Sequence, residues 1–127
     1  MGEVLERPGR RAEVLVSRDE LVVFEFEMAP ETPGTGLHFH KQHVDSFYVL
    51  EGELELTVDG ETVHARTGDL VHAAPGVVHS FKNSSLERAR FLNVHAPGMR
   101  FDEYIRRMDA GDGPDPEQYD SFLTLAV

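Results

Sequence analysis

The sequence predicts an all-β protein, an antiparallel sandwich or barrel, with one or two short helices at its C-terminal end. Three observations carry this. Short runs rich in β-branched and aromatic residues recur, with turn signals between them at intervals of roughly eight to twelve residues. The run ELELTV alternates strictly, placing Leu54, Leu56 and Val58 on one face. Asp59-Gly60, the strongest hairpin signal in the chain, separates that run from the returning ETVHA.

Taken in order, residues 1–11 are polar and carry Arg, Gly and Pro, and read as a loose arm. Residues 12–16 and 21–28 read as two strands, the second with Phe24, Phe26 and Met28 on one face and Glu25 and Glu27 on the other. APETPGTG holds two Pro and two Gly and is a loop that delivers the chain to a strand through His38 and His40. SFYVLE, ended by Gly52, is the next strand. The hairpin follows, then LVHAA after the Thr67-Gly68-Asp69 turn, VVHSFKN after Pro75-Gly76, and a last long strand, RARFLNVH.

After Pro97 the pattern changes. Phe101, Tyr104, Ile105 and Met108 recur at helical spacing. Asp115 followed by Pro116 is a plausible cap and first position of a second helix. The expected organisation is one domain over residues 1–127: an arm to residue 11, a β-body over 12–96 and a helical segment over 97–127, packed on the outside. The acidic stretch at 109–120 reads as solvated surface.

Charge and composition exclude several functions. Twelve Lys and Arg face 23 Asp and Glu, a net charge of −11, so no basic surface for nucleic acid or anionic lipid is expected. No apolar run is long enough to span a bilayer as a helix. MGEVLERPGRR has no apolar core of a secretory signal, so the expected location is the cytoplasm. With no cysteine, disulfides and thiolate ligands are excluded.

His38-x-His40 is the densest chemical signal. Residues two apart on a strand share a face, so both imidazoles would project side by side. Asp45 and His79 would have to close the site from neighbouring strands. Three imidazoles and a carboxylate suit one divalent first-row metal per chain: Fe, Mn, Ni, Cu or Zn.

The spacings around these residues resemble the cupin superfamily. His38-Phe39-His40, four residues, Asp45, six residues and Gly52 are similar to the first cupin motif, with Asp45 where the family has Glu. Gly68, five residues, Ala74-Pro75-Gly76, two residues, His79, three residues and Asn83 are similar to the second, with Ala74 in place of a Pro. The glycine that leads the first motif fits poorly, since Gly34 and Gly36 lie nearer His38 than the motif asks. The resemblance implies a jelly-roll β-barrel with His38, His40, His79 and Asp45 at its metal. Asp is one methylene shorter than Glu, so Asp45 would reach the metal directly, act through water, or serve as a base beside it. A regular strand from His43 onward puts His43 on the same face as Asp45, and His43 is the alternative fourth ligand. Phe47, Val49 and Phe81 share faces with these residues and are expected to line a pocket, as are His72 and His95.

Histidine-rich ligation resembles the dioxygenase-like cupins, which implies an oxidoreductase acting on a small organic molecule. A non-redox isomerase, decarboxylase or hydrolase, or a non-catalytic ligand-binding protein, are the alternatives on the same site. Small single-domain cupins generally resemble homodimers joined through N-terminal strands, and the residues at 12–16 and 21–24 supply such an edge.

Overall fold

The computed structural model describes residues 2–124 of the 127. Residues 125–127 of the segment expected to be helical lie outside the described residues. Among the described residues the chain forms eleven strands: β1 (Val4–Arg7), β2 (Arg10–Ser17), β3 (Val22–Met28), β4 (His38–Phe39), β5 (Val44–Glu51), β6 (Glu53–Val58), β7 (Glu61–Arg66), β8 (Leu70–Ala73), β9 (His79–Lys82), β10 (Ala89–Ala96) and β11 (Phe122–Leu123). They form two facing antiparallel sheets, a six-stranded one in the order β1-β2-β3-β10-β5-β8 and a five-stranded one in the order β11-β4-β9-β6-β7. This is the expected jelly-roll architecture. Among the described residues no helix is long and apolar enough to cross a membrane.

Alternation along the strands builds the interior. Val22, Phe24, Phe26 and Met28 of β3 are buried, while the residues between them are half-exposed. Leu54 and Leu56 of β6 join them from the other sheet, in one core with Phe47 and Val49 of β5 and Phe91 of β10. The inward face of β10 reads Ala89, Phe91, Asn93, His95. It passes from apolar to polar within one strand. The barrel interior is therefore hydrocarbon at one end and hydrogen-bonding at the other, and the site occupies the second end.

Two stretches differ from the sequence expectation. The arm is not loose: β1 pairs with β2, Arg7 opposite Arg10. Pro8-Gly9, with Gly9 at φ 82°, has the residues that a tight type II turn asks for. Arg10 is then buried in a two-bonded ion pair with Asp109, at 2.8 and 3.0 Å. Asp109 is accordingly structural rather than solvated.

The second difference is at the C-terminal end. α1 (Phe101–Asp109) forms as expected, with Phe101 and Ile105 buried. The second helix does not extend: Asp115 caps a single 3-10 turn, Pro116–Tyr119, by accepting from the Glu117 backbone N–H. Asp120 then adopts a left-handed conformation, φ 58°, and stops it. Phe122 and Leu123 pair with Phe39 and His38 as β11.

Gly52 links β5 to β6 at φ 78°, and a Cβ there would lie 2.4 Å from the Arg88 carbonyl oxygen. Gly60 has a similar φ of 82° but open space around it. Gly60→Ala is expected to cost about 1–2 kcal/mol, the left-handed penalty alone. Gly52→Ala should cost clearly more, because rigid backbone must also shift. Urea denaturation of the two variants side by side checks this.

Candidate metal centre

The three elements that carry the site meet at the polar end of the barrel. β4 and β9 pair so that His38 lies opposite His79. His40 follows β4 immediately, and its ring centroid lies 5.0 Å from those of both His38 and His79; the His38–His79 separation is 4.3 Å. Asp45 enters from β5, in the other sheet, opposite His95 of β10. All four residues are buried. One ligand atom from each of His38, His40, Asp45 and His79 lies within 4.8 Å of the others, a set that could hold a metal ion.

Hydrogen bonds fix how the rings are presented. Nδ1 of His38 donates to the Gly36 carbonyl at 2.9 Å, Nδ1 of His79 to the Val77 carbonyl at 2.9 Å, and Nδ1 of His40 to the Asp120 carbonyl at 2.8 Å. Carbonyl oxygens only accept, so each ring carries a proton on Nδ1 and, when neutral, turns a lone pair on Nε2 inward. Oδ2 of Asp45, another acceptor when ionised, lies 2.8 Å from Nε2 of His79 and 3.2 Å from Nε2 of His40. Lone pairs brought this close require a cation or a proton among them. The shorter Asp45 side chain thus reaches the group after all.

The charge states follow from burial and neighbours. Burial, reinforced by the charge of His79, pushes His38 down to about 4, so it is neutral near pH 7. For Asp45 burial acts upward, but the charge of His95 and the bonds with His40 and His79 outweigh it and hold the carboxyl well below its ordinary range. It is an ionised, weakly basic group, suited to balance a cation and poorly suited to accept a proton. His79 moves the other way: burial disfavours its charge, yet the bond to Asp45 prevails and raises its pKa.

In the metal-free protein the proton on Nε2 of His79 therefore takes the cation's place. Below the raised pKa of His79, metal binding is expected to release close to one proton; as pH rises through that value the release should fall toward zero. His38, already neutral, contributes none near pH 7. Calorimetric titration of a divalent metal in buffers of different ionisation enthalpy measures the number directly.

A row of hydrogen bonds supports the group from behind. Asn93 donates through Nδ2 to Oδ1 of Asp45 at 2.7 Å and to the Ser46 carbonyl at 3.1 Å. Its Oδ1 therefore faces Nε2 of His95, at 2.7 Å. Nδ1 of His95 lies 2.9 Å from Nε2 of His43, and Nδ1 of His43 lies 2.8 Å from Oδ2 of Asp120. Both nitrogens of His43 are engaged in this row, so Asp45, and not His43, stands with the three inward rings. His40, His43 and His95 also form a second close group of ring nitrogens, but one built on these internal bonds.

Asp120 was not legible as a site residue. It is buried, although it ends the acidic stretch expected at the surface. Its carboxylate accepts from the backbone N–H groups of Lys41 at 2.9 Å and Gln42 at 2.8 Å as well as from His43, while its carbonyl orients His40. The signal that could have found it is weak: an Asp one residue beyond a capped turn, at a position that favours Asp or Asn.

A cavity of about 330 Å³ opens beside His38 and His95. Phe81 and His95 line it, joined by Phe101 and Tyr104 of α1. The ring of Phe101 stacks on His95 at 3.9 Å, so α1 covers the site rather than merely packing outside the barrel. Phe47 and Val49 lie in the core cluster behind the site and are not among the residues lining that cavity. His72 is a correction: β8 pairs it with Ser46 and leaves it exposed on the outer face, away from the cavity.

Comparison with known proteins agrees with this geometry. Residues 24–95 match the model of the cupin domain, Cupin_2. A stretch of 71 residues is 31% identical to quercetin 2,3-dioxygenase of Bacillus subtilis, covering 56% of this chain and 20% of that protein. Another, of 81 residues, is 30% identical to the HTH-type transcriptional regulator PuuR of Escherichia coli, covering 64% of this chain and 43% of that one. The chain thus spans a fifth to under half of these relatives. Among solved structures, KdgF from Halomonas sp. superposes with a TM-score of 0.68 at 20% identity, over 75% of this chain and 86% of that one, a likeness of fold.

Proposed function

This chain belongs to the cupin family, and from that premise we propose that it is a metal-dependent, dioxygenase-like enzyme acting on a small organic molecule held in the cavity beside His38 and His95. One observation carries the reading. Three imidazoles, each fixed through Nδ1, turn Nε2 toward a carboxylate whose low pKa keeps it ionised. That donor set suits one divalent metal, held by His38, His40, His79 and Asp45. A redox-active metal there, when bound, supplies the electron transfer and Lewis acidity that dioxygenation needs.

The chain's own residues do the rest. Phe81, Phe101 and Tyr104 give the cavity an apolar wall that excludes water around a substrate. His95, on the cavity wall, is held by Asn93 and His43, and so presents a fixed ring face rather than a mobile base. Redox chemistry is favoured over the non-redox alternatives by the similarity to quercetin 2,3-dioxygenase. Ligand binding without turnover is the second reading, favoured by the similarity to a transcriptional regulator of comparable identity. Residues 12–16 and 21–24 offer no edge, since β2 lies between β1 and β3, and β3 between β2 and β10; association of two copies through the outer edge of β1 instead belongs to the same proposal, and light scattering at micromolar concentration is expected to give twice the monomer mass.

The test begins with metal analysis of protein purified without added metal. About one Fe, Mn, Ni or Cu per chain, with oxygen uptake on a panel of flavonols, catechols, β-diketones and thiol acids, is the expected outcome. Uptake should vanish in His79→Ala. Metal without oxygen uptake on any member supports the binding or non-redox readings instead.

A further inference from the structure

The chain has ten arginines, and nine of them lie within ion-pair distance of a carboxylate. The tenth, Arg7, has no carboxylate partner among the described residues and makes no side-chain hydrogen bond there. It sits at the turn end of β1, exposed, and lines the cavity that reaches His38. It also lines an adjoining cavity of about 270 Å³ that shares Phe26, Phe81, Ile105 and Met108 with the first, so the two form one passage. Arg10, the other arginine on this passage, is already neutralised by Asp109.

The passage is chemically unlike the rest of the molecule. Of 23 acidic residues, none lines either cavity. Its walls are mainly hydrocarbon and aromatic, with the neutral polar Thr32, Thr35, Asn93 and Ser121, and its charged groups are cationic or imidazole. In a chain of net charge −11, a carboxylate-free passage with one unpaired guanidinium is a place suited to hold an anion. A guanidinium binds a carboxylate through two parallel N–H donors, which fixes orientation as well as adding attraction. Phe26 and Phe81 lie within the matched cupin domain of 24–95, whereas Arg7 on β1 and Phe101, Tyr104, Ile105 and Met108 on α1 stand outside it.

We propose that Arg7 is a specificity determinant, and that the substrate class is a small carboxylate with a ring-sized apolar body. The carboxylate pairs with Arg7 at the outer end, while the apolar body lies along Phe26, Phe81 and Phe101 toward His38. This rests on the reading of the His38 end as the metal end.

The probes are 3-phenylpropionate and its uncharged amide, 3-phenylpropanamide, titrated calorimetrically into metal-loaded and into chelator-treated protein. The wild type is expected to bind the carboxylate at least tenfold more tightly than the amide in both forms. Arg7→Met should bring the two probes within about threefold by weakening only the carboxylate, and Arg7→Lys should keep part of the preference. Metal content is measured on the same samples. A preference that survives Arg7→Met, or wild type that binds the amide as well as the acid, overturns the proposal while intact metal content leaves the metal reading standing. Absence of metal with an Arg7-dependent preference does the reverse.

Discussion

Replacing His79 with Ala is expected to lower affinity for a divalent metal by more than about 100-fold, beyond the tenfold to 100-fold that loss of an outer partner typically costs. His79 is fully buried and occupies the middle of the group, 4.3 Å from His38 by ring centroid and 2.8 Å from Oδ2 of Asp45. Its removal takes away one of three imidazole donors. It also strips Asp45 of the bond that best balances its charge, leaving a buried carboxylate held by His40 and Asn93. The metal-free variant should therefore also be less stable than the metal-free wild type, by about 1.5–3 kcal/mol for a lost bond to a charged group. His72→Ala, on the outer face, is the control and should change neither quantity. Chelator competition reads the affinity and urea denaturation the stability; metal held by His79→Ala within a few-fold of wild type would contradict the assignment.

Asp120→Ala is expected to cost about 3–5 kcal/mol of stability, since a hydrogen bond to a charged group contributes about 1.5–3 kcal/mol and three are lost together. Three donors lose their acceptor together: the backbone N–H groups of Lys41 and Gln42 and Nδ1 of His43. The left-handed backbone at residue 120, φ 58°, adds strain for Ala that Asp tolerates better. Metal affinity should fall as well, by less than the roughly tenfold to 100-fold that loss of an outer partner costs, because the backbone carbonyl that orients His40 through Nδ1 remains but its segment is no longer held by the carboxylate. Asp120→Asn keeps the backbone preference and one acceptor oxygen, and should lose less of both. An Asp120→Ala variant as stable as wild type would show that the carboxylate is not what ties this segment down.

The fold was legible because its signals are local. Alternation in β3 and β6 and the Asp59-Gly60 turn each specify structure within a few residues, and the structure follows them. His38, His40, Asp45 and His79 were legible as a group through spacing, even though β4 is only two residues long and His40 lies just past its end. What was not legible depended on distant partners. His43 and Asp45 both point inward, and Asp120 and His95, 77 and 52 residues from His43 in sequence, draw His43 away. His72 could not be placed by pattern, since Leu70 on its own face of β8 is 65% exposed and misleads any hydrophobic reading. The arm at 1–11 looked loose because its anchors, Asp109 for Arg10 and Arg106 for Glu3, come from α1 at the other end of the chain.

The most direct test is a crystal structure of protein soaked with a divalent metal, with anomalous scattering recorded across the metal's absorption edge. One strong anomalous peak per chain is expected, at about 2.0–2.2 Å from Nε2 of His38, His40 and His79 and in reach of a carboxylate oxygen of Asp45. A peak among His40, His43 and His95 instead, or no peak among the four residues at saturating metal, would contradict it.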